Sequence, residues 1–139
     1  MKKREPVSKI MSSQLITINK NTGLDEAEHL FKKNNIRHLP VVSGDELIGI
    51  LSLTDLLRIS FTDNYGEKEG SVDTAVYNML SIPQVMVAAP VSIQKTQTIK
   101  EAAEELASKE FHALPVLDGK ELVGIVTTTD LIKYLLEQY

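Results

Sequence analysis

Asp55 closes the tetrapeptide SLTD and Asp130 closes TTTD, and the two acids stand 75 positions apart. Each follows a pair of hydroxyl-bearing residues, Ser52 and Thr54 in the first and Thr127 and Thr129 in the second. An ionised carboxylate accepts hydrogen bonds and donates none, so it suits a ligand that presents hydroxyl donors, such as a sugar diol. At a helix start, unpaired N–H groups also point outward and favour anions. The same spacing fits the S/T-x-x-D/E capping box, in which acid and hydroxyl bond each other's main chain and need no ligand. The double occurrence, each time downstream of a Pro-Val strand, favours ligand contact, with capping retained for the Ser or Thr.

The elements that must position these groups come from an internal repeat. Shifting the chain by 75 positions aligns Leu15–Leu57 with Pro90–Ile132 without a gap, matching Pro40 with Pro115 and Gly49 with Gly124. In each copy a short alternating strand (LITI or PVSI) precedes a helix, for which Thr22 with Asp25 and Thr98 with Glu101 are the expected capping boxes. Leu24, Ala27, Leu30 and Phe31, and likewise Ile99, Ala102, Ala103 and Leu106, recur at helical spacing and form an apolar stripe against a sheet. Then come LPVV or LPVL, a turn, a second strand (LIGIL or LVGIV) and a closing helix. Asp118-Gly119 is a strong hairpin signal. The expected fold class is α+β: two pseudo-symmetric β-α-β-β-α units packed sheet to sheet as one compact module. The expected boundaries are residues 1–61 for the first unit, a polar linker over 62–74, and 75–139 for the second. Outside the aligned core, VSKIM echoes VYNML at a shift of 69, which implies six additional residues before Val91. The apolar stretch Ile82–Ala89 is then an extra segment, expected to lid a cleft or to contact a second subunit.

This order of elements, with Pro-Val opening the middle strand and Gly, Ser or Thr, and Asp closing the last, resembles the cystathionine beta-synthase (CBS) domain. Two in tandem resemble a Bateman module over nearly the whole chain. The resemblance implies an adenosine-containing regulatory ligand (AMP, ADP, ATP or S-adenosylmethionine) bound in clefts between paired domains, with no obligatory cofactor. It implies that Asp55 and Asp130 anchor the ribose beside Ser52, Thr54, Thr127 and Thr129. It also places basic groups two or three positions before the strand proline, here Arg37, His38 and His112, on the phosphate. Arg presents a fixed fork of donors, whereas His adds full charge only below about pH 6.5. Ala113 stands where the first copy has His38, so the basic cluster is lopsided. First-strand residues Ile16 and Thr17, with Val91 and Ser92, are implied to border the base. Pro40 and Pro115 lack an N–H and leave an opening at a strand edge.

Bulk properties narrow the function classes. Fifteen Lys and Arg against nineteen Asp and Glu give a net charge of -4, which disfavours a polyanionic partner such as nucleic acid. There is no cysteine for thiolate catalysis or zinc, the three histidines lack helical pair spacing, and His29 falls off the apolar stripe. No nucleophile–base pairing or Walker loop points to an enzyme. The charged start MKKREPVSKIM reads as neither signal peptide nor membrane span, so a soluble cytoplasmic protein is expected. The resemblance then implies a stand-alone energy-sensing module that acts on an effector protein in trans. A homodimer is expected, paired through an apolar helical face of Leu131, Ile132, Leu135 and Leu136. A ligand-free dimerisation or docking module and an S-adenosylmethionine sensor are the alternatives.

Overall fold

A computed structural model of the chain describes residues 4–63, 79–109 and 111–139. The class is α+β, as expected, and the chain forms two repeated compact units. One comprises Ile16–Pro90, the other Met1–Leu15 with Val91–Tyr139. This division differs from the linear partition at 62–74. Thr62 and Asp63 belong to the last turn of a helix, and residues 64–74 lie outside the described residues.

In the first unit, helix α1 (Leu24–Asn34) is followed by an antiparallel hairpin of β1 (His38–Ser43) and β2 (Glu46–Ser52), then by α2 (Leu53–Asp63). A short helix α3 (Ile82–Val85) and strand β3 (Val87–Ala88) return to the same unit, where β3 pairs with β2. In the second unit, β4 (Ile93–Gln94) lies parallel to β5 (Ala113–Asp118), which is antiparallel to β6 (Glu121–Thr127). Helix α4 (Ile99–Ser108) joins β4 to β5, and α5 (Thr128–Glu137) follows β6. Gly119 takes a φ of +67° in the hairpin turn, the region that a tight reversal demands. Each unit has its own apolar core. Leu24, Ala27, Phe31, Leu39, Val41, Leu51 and Leu56 fill one, and Ile93, Ala102, Leu106, Leu114, Val116 and Val126 the other.

Three expectations change. The opening strands are shorter than LITI and PVSI: pairing begins at Ile18, opposite Val41, and at Ile93, opposite Val116. Proline is the cause. Ile18 N–H donates to the carbonyl of Pro40 at 3.0 Å and Val42 N–H donates to that of Ile18 at 2.8 Å. One step earlier the donor to the Ile16 carbonyl would be Pro40 nitrogen, which carries no hydrogen. The same register makes the Pro115 nitrogen the missing donor to the Val91 carbonyl in the second unit.

The caps are unequal as well. Thr98 and Glu101 form the full reciprocal box at α4, but α1 begins after Gly23 with no side-chain cap. Gly23, not Thr22, is the residue 75 positions before Thr98. Thr22 instead accepts from the Asn19 amide through its hydroxyl at 3.1 Å, as Gln97 Oε1 accepts from the Gln94 amide at 2.8 Å. The Thr98 amide, followed by the Gln97 and Thr98 side chains, holds the Glu101 carboxyl below its ordinary range.

Finally, Ile82–Ala89 is no insertion. Val7, Met11 and Ser12 correspond to Ile82, Met86 and Val87 at the same shift of 75, so VYNML is not the counterpart of VSKIM. Ser12 bridges Ile125 as Val87 pairs with Ile50, and Val7 and Ile82 are fully buried in the two cores. Each repeat therefore lends its leading segment to the other repeat's unit. At each junction a methionine occupies the space above a strand glycine: an added Cβ would overlap Met86 sulphur at Gly49 and Met11 sulphur at Gly124. The leading segment of the second unit is further held by Val7 N–H on the Gln97 carbonyl at 2.7 Å and Ile99 N–H on that of Glu5 at 2.8 Å. Tyr134 hydroxyl also donates to the Glu5 carboxylate.

Gly124→Ala is expected to lower stability in urea melts by about 1–3 kcal/mol, as over-packed sites do. In the double variant with Met11→Ala, the two losses are expected to be less than additive, because the overlapping atoms are gone. The hydrogen bond to Glu5, followed by burial and the nearby negative charge, raises the Tyr134 phenol above its ordinary value of 10.0. The unfolded chain gives up this proton near 10 while the folded chain retains it, so stability is expected to hold below that pH and to fall as pH rises above it. Thermal melts across the alkaline range check this, with Tyr134→Phe flattening the decline.

Candidate functional site

The two hairpins carry the predicted residues to one end of each unit. In the first, the parallel bridge at Ile18 and the antiparallel register His38–Ser52 bring Ile16 and Thr17, Arg37 and His38, and Ser52, Thr54 and Asp55 to the same end. In the second, Ile93–Val116 and Ala113–Thr127 do the same for Val91, Ser92, His112, Thr127, Thr129 and Asp130. A main-chain bond locks each end. Leu53 N–H, in the first turn of α2, donates to the Arg37 carbonyl at 2.9 Å, and Thr128 N–H, in the first turn of α5, donates to the His112 carbonyl at 3.0 Å. The basic position and the head of the closing helix are thereby fixed beside each other.

Exposure sorts these residues. Thr17, Arg37, Thr54, Val91, His112 and Thr129 are exposed, while Ile16, His38, Ser52, Asp55, Ser92, Thr127 and Asp130 are half-buried. Pro40 and Pro115 are buried, so they act through the missing N–H and present no side-chain surface. β5 runs between β4 and β6, so Pro115 interrupts a central strand rather than an edge. At each proline the main chain of the opening strand leaves the ladder, and the Ile16 carbonyl loses the donor that a non-proline residue would supply.

The two acids behave differently. At α5 the capping box is complete: Thr127 N–H donates to Asp130 Oδ2 at 2.9 Å, and Asp130 N–H donates to the Thr127 hydroxyl at 3.2 Å. At α2 the Asp55 amide still donates to the Ser52 hydroxyl, at 3.0 Å, but Asp55 Oδ1 accepts from Arg58 Nη1 at 3.1 Å. Arg58 was not among the sequence candidates, although its place three residues after the acid on one helix is a recognisable pairing signal.

Each end therefore offers carboxylate acceptors and hydroxyls beside basic side chains, a set that can hold a polar, hydroxyl-bearing anion. Among the described residues no group of three or more His, Asp or Glu could hold a metal ion, and no helix is long and apolar enough to cross a membrane.

Comparison with known proteins agrees with this architecture. The MJ1225 protein of Methanocaldococcus jannaschii is 33% identical over 94% of the chain, which spans 43% of that protein. A CBS domain-containing protein of Dictyostelium discoideum is 33% identical, with 94% of this chain and 91% of that protein covered. The crystal structure of Arabidopsis thaliana CBSX2 in complex with AMP superposes with a TM-score of 0.81 at 22% identity, covering 96% of this chain and 98% of that one. The CBS domain family model matches twice, at residues 7–61 and 82–137, with starts 75 positions apart, and the chain belongs to the CBS domain family as a tandem pair.

Proposed function

We propose that this chain is a regulatory module that binds an adenosine-containing nucleotide of the AMP, ADP or ATP class and modulates a partner protein in trans. The observation that carries the reading is the convergence, in each unit, of an opened strand end, a basic position and a helix-head acid. In the first unit, Asp55 and the Ser52 and Thr54 hydroxyls face the sugar, Arg37 and His38 the phosphate, and Ile16 and Thr17 the base beside Pro40. Val91, Ser92, His112, Pro115, Thr127, Thr129 and Asp130 are the counterpart group. The complex of CBSX2 with AMP supports the ligand class. Regulation requires the ligand to bind two conformational states unequally, and a tenfold difference is worth about 1.4 kcal/mol. Energy sensing in the cytoplasm as a homodimer completes the proposal. The exposed face of α5, with Ile132 at 53%, Leu135 at 40% and Leu136 at 67% exposure, is the surface for a second copy.

That face also favours a second reading, a docking module that needs no ligand, and a thermal shift separates the two. A ligand selective for the native state raises the apparent Tm, by about 2.7 kcal/mol of added stability at one hundred times Kd. AMP, ADP or ATP is expected to do so on the wild type. A shift with S-adenosylmethionine alone would reassign the ligand, and no shift with any of the four would leave the docking reading. By calorimetry, Asp55→Ala is expected to weaken nucleotide binding at least tenfold, because the sugar hydroxyls lose their charged acceptor.

A further inference from the structure

The two ends are related by the repeat but are not equivalent. We propose that the end around Asp55 takes the phosphorylated nucleotide while Asp130 serves chiefly its own helix, so that one chain holds one strong phosphate-dependent site. This inference rests on the nucleotide reading above.

Three observations lead to it. First, Asp130 is committed on both sides of its box, to the Thr127 amide and, through its own amide, to the Thr127 hydroxyl. To receive a sugar hydroxyl in that oxygen's place, it would have to release a charge-assisted bond to a main-chain donor. Asp55 is bound otherwise. The Ser52 hydroxyl satisfies its amide, and its carboxylate meets Arg58, whose side chain is 69% exposed. An exposed ion pair contributes little and exchanges readily, and the Ser52 cap survives when the carboxylate turns to a ligand.

Second, the basic groups follow the same asymmetry. Arg37, His38 and Arg58 of the first unit correspond, 75 positions on, to His112, Ala113 and Lys133. Two guanidinium forks, suited to bidentate phosphate binding, are replaced by an imidazole and an ammonium. Third, Ala113 is buried, so the place of half-buried His38 carries no polar group at all. A phosphate therefore gains more at the first end, and whatever the second end accepts is closer to an uncharged nucleoside.

The test is calorimetric titration of the full chain with AMP and with adenosine, alongside thermal melts. Wild type is expected to take up one AMP per chain with affinity at least tenfold above adenosine, and Arg37→Ala is expected to erase most of that advantage. The affinity loss for AMP at Asp55→Ala is expected to exceed that at Asp130→Ala by tenfold or more. Asp130→Ala is instead expected to lower Tm by about 3 °C through the broken cap. If Asp130→Ala does not fold, Asp130→Asn keeps an acceptor for the Thr127 amide and supplies the same binding comparison. Two equal AMP sites per chain, or an equal loss at the two acids, would overturn the inference and leave the nucleotide function standing. A wild type that binds neither AMP nor adenosine would overturn both.

Discussion

Two main-chain hydrogen bonds, Leu53 to the Arg37 carbonyl in one unit and Thr128 to the His112 carbonyl in the other, fix the candidate end of each unit. Each joins the first turn of a closing helix to the residue just ahead of the middle strand. Without them, the cation-bearing strand entry and the acid-bearing helix head would be two separate surface features. With them, main-chain atoms fix a short loop geometry at each end. The hairpin register sets the distance along the strands and these bonds set the corner.

A missing hydrogen has as much influence as those that are present. Because Pro40 and Pro115 cannot donate, the parallel ladder starts at Ile18 and Ile93. The residues ahead of it are released from the sheet with main-chain groups unclaimed by the neighbouring strand. A ligand's ring edge needs such groups, and a side chain of any other type in place of proline would tend to close the ladder over them.

Much of this was legible in the chain. The proline pair and the twin acids are read from residue identity at a constant offset, which the structure keeps, and the Asp118-Gly119 turn is read from its own two letters. What escaped did so for definable reasons. VSKIM and IPQVM share only their methionine, so the exchange of leading segments is invisible to residue matching. Its logic lies in glycines on another repeat's strand, Gly124 and Gly49, that make room for the two sulphurs. The assignment of Thr22 as a cap failed because Gly23 is the positional counterpart of Thr98, and a helix held by tertiary packing starts there without one. The different orientations of Asp55 and Asp130 could not be read from two identical letters. They are visible in the partners, with Arg58 drawing one carboxylate outward and the Thr127 amide drawing the other in.

The exchanged segments also set an order on synthesis. As the chain emerges, the first hairpin is complete by Ser52, yet the core around Leu24 and Phe31 waits for Ile82 to arrive. Val7, made before either hairpin, stays without its core until Val126 is in place. Neither repeat completes its core from its own residues, although the unit Ile16–Pro90 is contiguous and closes once its returning segment is made. Long closures of this kind slow folding more than they weaken the product, so the core around Val7 and Val126 is the later of the two to fill.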